Sequence, residues 1–224
     1  MIQTEEYLGI LKTRLEEKFG KRLVYIGLQG SYLRGEADEN SDFDVMLVID
    51  ELSGDDLDAY REILQSLGFF DISCGFVCGR EDLAGWNPLE VCHVLNTTKD
   101  IFGCLKSLLP DWTRQNVIDF VKFSVGNTFH ELCHRRVHGR HENTVEALPG
   151  IYKGVFFILQ NIHWLRTGEF VNSKAGLVEK LNGCDREVLD AAVTLKNAEE
   201  YDFEYYYNLI FSWCKAKLSE SFDL

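Results

Sequence analysis

Residues 23–50 read Leu23-Val-Tyr-Ile-Gly-Leu-Gln-Gly-Ser-Tyr-Leu-Arg-Gly-Glu-Ala-Asp-Glu-Asn-Ser-Asp-Phe-Asp-Val-Met-Leu-Val-Ile-Asp50. The two apolar runs in this stretch predict buried strands at Leu23–Leu28 and Val45–Ile49. The segment between them is polar, and Gly30 and Ser31 follow the first strand directly. Glycine lets backbone N–H groups approach a ligand closely, and a serine hydroxyl adds a donor. The sequence therefore predicts a turn that binds phosphate oxygens.

Two aspartates, Asp42 and Asp44, lie immediately before the second predicted strand. Side chains alternate along a strand, so both carboxylates should lie on one face and Phe43 on the other. Two anionic groups on one face repel each other unless a cation lies between them. Mg²⁺ takes oxygen ligands and is usually held by one or two carboxylates together with substrate phosphates. A magnesium site near a phosphate-binding turn indicates metal-assisted transfer from a nucleoside triphosphate.

The order of short motifs in this stretch resembles the signature of the polymerase-β-like nucleotidyltransferase superfamily. The motifs are Gly30-Ser31, Arg34-Gly35 and Ser41-Asp42-Phe43-Asp44, with an apolar strand on either side. The resemblance implies Mg²⁺ at the two aspartates, and ATP or another nucleoside triphosphate as co-substrate. It also implies that Gly30 and Ser31 hold the β- and γ-phosphates, while Arg34 either contacts a phosphate or pairs with a nearby acid.

The same resemblance implies a third metal-binding carboxylate on the third strand, which we predict at Phe69–Cys78. The expected position falls at Cys74, whereas the acid in this strand is Asp71, three residues earlier. An odd offset places Asp71 on the opposite face unless a bulge changes the register. Besides Asp71 as third metal ligand, three alternatives stay open: an acid from elsewhere, a site of two carboxylates, and a degenerate, weakly active enzyme.

The clearest domain boundary is Leu109-Pro110-Asp111, because proline restricts the residue before it and an acid can cap the helix that follows. Strands and helices alternate before this point, and the apolar spacing after it is helical throughout, including an apolar helix at Leu148–Arg166. We predict an α+β protein with a catalytic domain at 1–110, built on a mixed sheet with flanking helices, and a helical bundle at 111–224. This layout resembles kanamycin-type antibiotic nucleotidyltransferases, which implies that the helical domain binds the acceptor.

Composition narrows the class of partner. The chain has 224 residues, 46% hydrophobic and 26% charged, and a formal net charge of −13. Such an acidic chain is a poor candidate for binding nucleic acid, which requires clusters of Lys and Arg, and it favours a cationic small acceptor such as an aminoglycoside. No apolar run approaches membrane-spanning length, no signal pattern is present, and seven irregularly spaced cysteines do not indicate disulfides. We therefore expect a cytoplasmic monomer or homodimer without membrane partners.

A second motif, His130-Glu131-Leu132-Cys133-His134, matches H-E-x-x-H. On a helix its two imidazoles face one way and can bind Zn²⁺, with the glutamate as general base of a peptidase. The cationic neighbours Arg135, Arg136 and Arg140 oppose this interpretation, because they raise the free energy of adding a divalent cation.

We favour another use of this segment, in which Glu131 deprotonates an acceptor hydroxyl while a His or Arg contacts phosphates. A solvated helix face is the structural alternative. Lys153 interrupts an apolar helix and is predicted either to reach the triphosphate or to extend into solvent.

Together these patterns predict an Mg²⁺-dependent nucleotidyltransferase. It would move a nucleoside monophosphate, expected to be AMP, to a hydroxyl of a small molecule or of a protein. The alternative is a catalytically weak or inactive nucleotide-binding protein of the same fold, similar to an antitoxin.

Overall fold

The computed structural model describes residues 3–196 and 198–222. The chain forms two compact units, of which the first ends at Trp112 and the second begins at Thr113. We call them the sheet unit and the helical unit. Among the described residues, no helix has both the length and the apolar character that crossing a membrane requires.

The sheet unit combines a five-stranded sheet with α-helices. Its strands are β1 (Leu23–Leu28), β2 (Phe43–Ile49), β3 (Ser73–Cys74), β4 (Val77–Gly79) and β5 (Lys99–Phe102). Its helices are α1 (Thr4–Phe19), α2 (Gly30–Arg34), α3 (Gly54–Ser66), α4 (Arg80–Ala84) and α5 (Pro88–Asn96). The strand order is β3-β2-β1-β5, and β4 also pairs with β2. Because β2 is antiparallel to β1 but parallel to β3 and β4, the predicted mixed sheet is confirmed.

Strand β2 is apolar along most of its length because it contributes to two hydrophobic cores. Val45, Leu47 and Ile49 belong to one core, together with the buried face of α1. Met46 and Val48 belong to the other core, on the opposite face of the sheet. Burial of a large aliphatic side chain stabilises a fold by roughly 1.5–3 kcal/mol, so a one-residue slip of β2 is strongly disfavoured. The register that carries Asp44 into the sheet is fixed by this packing.

The predicted third strand at Phe69–Cys78 is wrong in extent. The chain instead forms a 3-10 turn at Phe70–Ile72, followed by the short strands β3 and β4. Gly75 separates these strands with a φ of +136°, and a Cβ at this position would lie 2.0 Å from the carbonyl oxygen of Val45. The position beside β2 is therefore shared by two short strands, and Asp71 precedes both of them.

The helical unit consists of packed helices, so the predicted α+β class is confirmed. Its helices are α6 (Arg114–His138), α7 (His141–Thr167), α8 (Lys174–Lys180), α9 (Gly183–Leu195) and α10 (Phe203–Ser219). Helix α7 packs against α6 and α9, and α10 packs against the same two helices.

Helix α7 begins well before the predicted start at Leu148, because Pro149 does not interrupt it. A proline inside a helix has no N–H to donate to the carbonyl four residues earlier. Here that carbonyl belongs to Val145, and the hydroxyl of Tyr201 donates a hydrogen bond to it. The helix ends within one residue of its predicted end, before Gly168, whose φ of +75° is left-handed.

A buried ionic network, which we call the Asp185 cluster, lies between α7, α9 and the end of α10. Asp185 accepts hydrogen bonds from Trp213 Nε1 at 2.6 Å, Lys217 Nζ at 3.0 Å and Arg166 Nη1 at 2.8 Å. Glu220 accepts from the same lysine at 2.7 Å and from the same arginine at 2.6 Å. Burial alone would raise the pKa of Asp185, but the donors outweigh burial and hold the pKa below its usual value.

Candidate active site

The glycine–serine motif and the second aspartate meet in the structure. Gly30 follows β1 after a single residue and begins helix α2, so the predicted turn is a short helix. The φ of Gly30 is +68°, and a Cβ on it would lie 1.8 Å from Oδ2 of Asp44. The backbone N–H of Gln29 also donates to the carbonyl oxygen of Asp44 at 2.9 Å. A glycine is required here because its backbone lies directly against the Asp44 carboxylate.

The two aspartates lie beside a cysteine thiol. Phe43, between the aspartates in sequence, is 1% exposed and belongs to the core with α1. Asp44 is opposite Cys74 in the parallel pairing of β2 with β3, and their side chains are hydrogen-bonded. Partial burial raises the pKa of the Cys74 thiol, and the charges of Asp44 and Asp42 raise it further. Both carboxylates are therefore near one thiol.

Asp71, the predicted third metal ligand, lies in the 3-10 turn before β3. In residues 3–196 and 198–222, no group of three or more His, Cys, Asp or Glu side chains is arranged to hold a metal ion. The structure thus does not assemble Asp71 with Asp42 and Asp44 into a three-ligand site. Cys74 occupies the position where the resemblance led us to expect an acid, and Asp71 as a metal ligand stays a prediction.

The loop that leads into β2 is fixed by Ser41, the first residue of the Ser-Asp-x-Asp motif. Its hydroxyl accepts a hydrogen bond from the backbone N–H of Asp38 at 2.9 Å and donates to that residue's Oδ1 at 3.0 Å. The backbone N–H of Asn40 donates to the same carboxylate oxygen at 3.0 Å. Sequence reasoning did not identify this role of Asp38, although an Asp whose carboxylate accepts from the backbone two residues further on is a common turn residue. The serine therefore holds the turn that presents Asp42.

Arg34, predicted to bind phosphate or to pair with an acid, pairs with an acid. Its Nε lies 3.0 Å from Oε2 of Glu36, and its side chain is only 14% exposed. Burial, reinforced by the charge of Arg34, lowers the pKa of His93 to about 4. No local pattern in the sequence identifies His93, since it is a single histidine on helix α5. A phosphate contact by Arg34 stays a prediction.

Glu131 and its neighbours line a cavity within the helical unit. The cavity, which we call the α6–α7 cavity, has a volume of about 460 Å³ and is lined by His130, Glu131, His134, Arg135, Gly139, Asn143 and Thr144. Glu131 accepts a hydrogen bond from Nε of Arg135 at 2.8 Å, one helical turn away. The carboxylate predicted to act as a base is thus half of an ion pair.

The H-E-x-x-H motif does not form a three-ligand zinc site in the described residues. The ring centroids of His130 and His134 are 6.0 Å apart, as expected for an i, i+4 pair on one helix. Lys153 is exposed on α7, which agrees with the second of its two predicted roles, a side chain that extends into solvent. The roles of Glu131 and Lys153 toward a nucleotide stay predictions.

Comparisons with known proteins agree with this geometry. A family model described as a nucleotidyltransferase domain matches residues 8–72, which include Gly30, Asp42 and Asp44. A stretch of 74 residues is 40% identical to the protein adenylyltransferase MntA of Thermococcus cleftensis, and it covers 73% of that protein and 30% of this chain. A crystal structure of the spectinomycin adenyltransferase AAD(9) from Enterococcus faecialis, with ATP and spectinomycin, aligns with a TM-score of 0.59 at 16% identity. The alignment covers 96% of this chain and 99% of that one, so the likeness in fold extends over both units.

Proposed function

The chain belongs to the polymerase-β-like nucleotidyltransferase family and is a nucleotidyltransferase, and on this premise we propose that it transfers AMP from ATP to a hydroxyl group. In this proposal the sheet unit binds the nucleotide and the helical unit binds the acceptor. The observation that carries the proposal is the contact between Gly30 and the Asp44 carboxylate, which joins the phosphate-binding motif to the acidic pair.

The side chains present fit a magnesium ion. Asp42 is exposed and Asp44 is half-buried, so both carboxylates can offer oxygen, the ligand that Mg²⁺ prefers. Substrate phosphates would complete the coordination, which makes a two-carboxylate site sufficient. When bound, the ion supplies positive charge that stabilises the phosphates in the transition state.

The residues of the chain would act mainly by positioning. The Ser31 hydroxyl and the N–H groups at the start of α2 would donate hydrogen bonds to phosphate oxygens. The acceptor oxygen bonds to the α-phosphorus of ATP while the bond from that phosphorus to the pyrophosphate oxygen breaks. The hydroxyl proton passes to a base, for which Glu131 is our candidate, and Lys153 is our candidate for a further phosphate contact.

Two acceptor classes follow from the known proteins. MntA is named a protein adenylyltransferase, which supports a protein hydroxyl as acceptor, and the aligned crystal structure contains spectinomycin, which supports a small molecule. The net charge of −13 favours a cationic acceptor through long-range attraction. We therefore propose a hydroxyl acceptor that is cationic, either a small molecule of the aminoglycoside type or a basic protein surface.

The test is pyrophosphate release from ATP, measured with and without Mg²⁺ against a panel of aminoglycosides and candidate proteins. We expect release that depends on both the metal and one acceptor class. Asp42→Asn and Asp44→Asn should each lower the rate by about 100-fold or more, because each removes a metal ligand. The matched control is Asp58→Asn, since Asp58 is exposed on α3, outside the motif.

Unchanged turnover in Asp44→Asn would contradict the assigned site. Binding of ATP without turnover for every acceptor would instead favour a weak or inactive member of the family. Calorimetry with ATP and Mg²⁺ on the same variants separates these two outcomes.

A further inference from the structure

The α6–α7 cavity holds hydrogen-bond donors that the fold does not use. The ring nitrogens of His130 and His134 make no hydrogen bond to any described residue, and neither does the side-chain amide of Asn143. Arg135 donates through Nε to Glu131, which leaves both of its Nη groups without a partner among the described residues. Imidazole, amide and guanidinium groups converge on one space, and this combination suits an acceptor-rich ligand.

The charged side chains that line the cavity do not oppose the binding of an anion. The Glu131 carboxylate that lines it is already neutralised by Arg135. Outside the lining, Arg140 lies in the short connection between α6 and α7, and neither it nor Glu142 at the start of α7 makes an ion pair with any described residue. In a chain of net charge −13, this cavity contains several hydrogen-bond donors and no uncompensated acid in its lining.

Size and composition favour an oxyanion over a metal. A volume of about 460 Å³ lies in the range of small-molecule sites, roughly 300–1,000 Å³, and exceeds what a single ion fills. The His130–His134 pair belongs to no three-ligand metal group within the described residues. A planar guanidinium with free Nη groups matches the geometry of phosphate oxygens.

We propose that the α6–α7 cavity is a binding site for a phosphate-bearing small molecule, held by His130, His134 and Arg135. The shared chemistry is a phosphate or pyrophosphate group, which either the free inorganic ion or a nucleotide supplies. Glu131, our candidate base for the proposed transfer, also lines this cavity, but the binding of a phosphate by His130, His134 and Arg135 does not depend on that reaction. In this site the Glu131 carboxylate orients the guanidinium of Arg135.

The experiment follows the NMR signals of isotope-labelled histidine side chains in the full chain, in EDTA and without divalent metal. Pyrophosphate, inorganic phosphate and ADP are titrated separately, so that the free ion and the nucleotide are distinguished. We expect saturable shifts at His130 and His134, a smaller shift at the adjacent ring of His138, and unchanged signals at His93 of the sheet unit. His134→Gln and Arg135→Gln should each weaken binding by at least about tenfold, since each removes a hydrogen bond to a charged group.

His138→Gln is the matched control, because His138 is exposed one turn further along α6 and does not line the cavity. The same shifts should persist in Asp42→Asn/Asp44→Asn, which separates this site from the proposed active site. Loss of the shifts in that double variant would overturn the assignment, and so would their absence from the parent protein. Equal affinity in the parent and in Arg135→Gln would overturn it as well.

Discussion

Two groups of acidic side chains, one in each unit, have opposite surroundings. In the helical unit, Asp185 is 4% exposed and accepts hydrogen bonds from three different side chains, which lower its pKa in spite of burial. In the sheet unit, Asp42 and Asp44 lie at the open end of a strand, and the neighbour that both of them influence is the thiol of Cys74. One acid is compensated within the fold, whereas the acidic pair lies where a ligand can reach it.

The difference separates a structural acid from a functional one. A buried carboxylate surrounded by cations costs free energy to assemble, and the fold loses much stability when one partner is removed. Two like charges at a strand end oppose folding slightly, and a bound cation offsets their repulsion. Burial and hydrogen-bond partners therefore indicate function better than the presence of a charged cluster does.

The largest effect we expect is loss of stability in Asp185→Ala. The change removes the acceptor of three hydrogen bonds and leaves the buried Lys217 with Glu220 as its remaining acidic partner, so the free energy of unfolding should fall by about 3 kcal/mol. Asp44→Ala should abolish turnover but cost less stability, about 1 kcal/mol, because it removes the hydrogen bond with the Cys74 thiol at a half-buried position. Denaturant unfolding of both variants checks this, and equal destabilisation by the two changes would remove the distinction drawn above.

The next largest effect concerns Gly30→Ala. The new Cβ would meet the Asp44 carboxylate, so we expect turnover to fall by about 100-fold, with a loss of stability of about 1–3 kcal/mol from backbone strain. Gly68→Ala is the control, because Gly68 also has a positive φ, of +79°, but open space around it. If both variants lost turnover to a similar extent, backbone strain alone would explain the effect of Gly30→Ala.

The sequence predicts the parts of this molecule that depend on local patterns. Strand β1 was correctly predicted and the end of α7 was predicted to within one residue, because unbroken apolar runs are local signals. The interruption at Gly75 was missed because it depends on packing against β2. The cavity around Glu131 was missed as a cavity because it forms between two helices. The secondary structure around a motif can thus be predicted from the sequence. The side chains that complete a site cannot, because they come together through contacts between residues distant in sequence.

A smaller effect on the stability of the protein is expected at low pH. The folded-state pKa of His93 is about 4, below its ordinary 6.5, so the unfolded chain takes up the proton first. The stability that depends on neutral His93 is fully present above pH 6.5 and is lost progressively as the pH falls from about 6.5 to about 4. Thermal unfolding between these pH values should show this loss in the parent and a flatter profile in His93→Gln. An equally steep profile in the variant would contradict it, and His138→Gln, which changes an exposed histidine, is the control.

The smallest effect is expected from Tyr201→Phe. The variant leaves the Val145 carbonyl without its donor, and the loss of one hydrogen bond should lower stability by about 1 kcal/mol. Pro149→Ala restores a backbone donor at the same carbonyl, so the double variant should recover most of the loss. A double variant as unstable as Tyr201→Phe would show that the hydroxyl stabilises the protein in another way.

The bond from Tyr201 to α7 also bears on how the helical unit assembles. Pro149 interrupts the backbone hydrogen bonds of α7, and the hydroxyl of Tyr201 bonds to the carbonyl that is left without a donor. The turns before Pro149 are therefore fully protected from hydrogen exchange only after the segment around Tyr201, more than fifty residues further along the chain, has docked. Amide hydrogens in those first turns should therefore exchange faster than those near the buried end of the helix. During synthesis, the first turns of α7 would stay loosely held until the residues around Tyr201 have emerged from the ribosome.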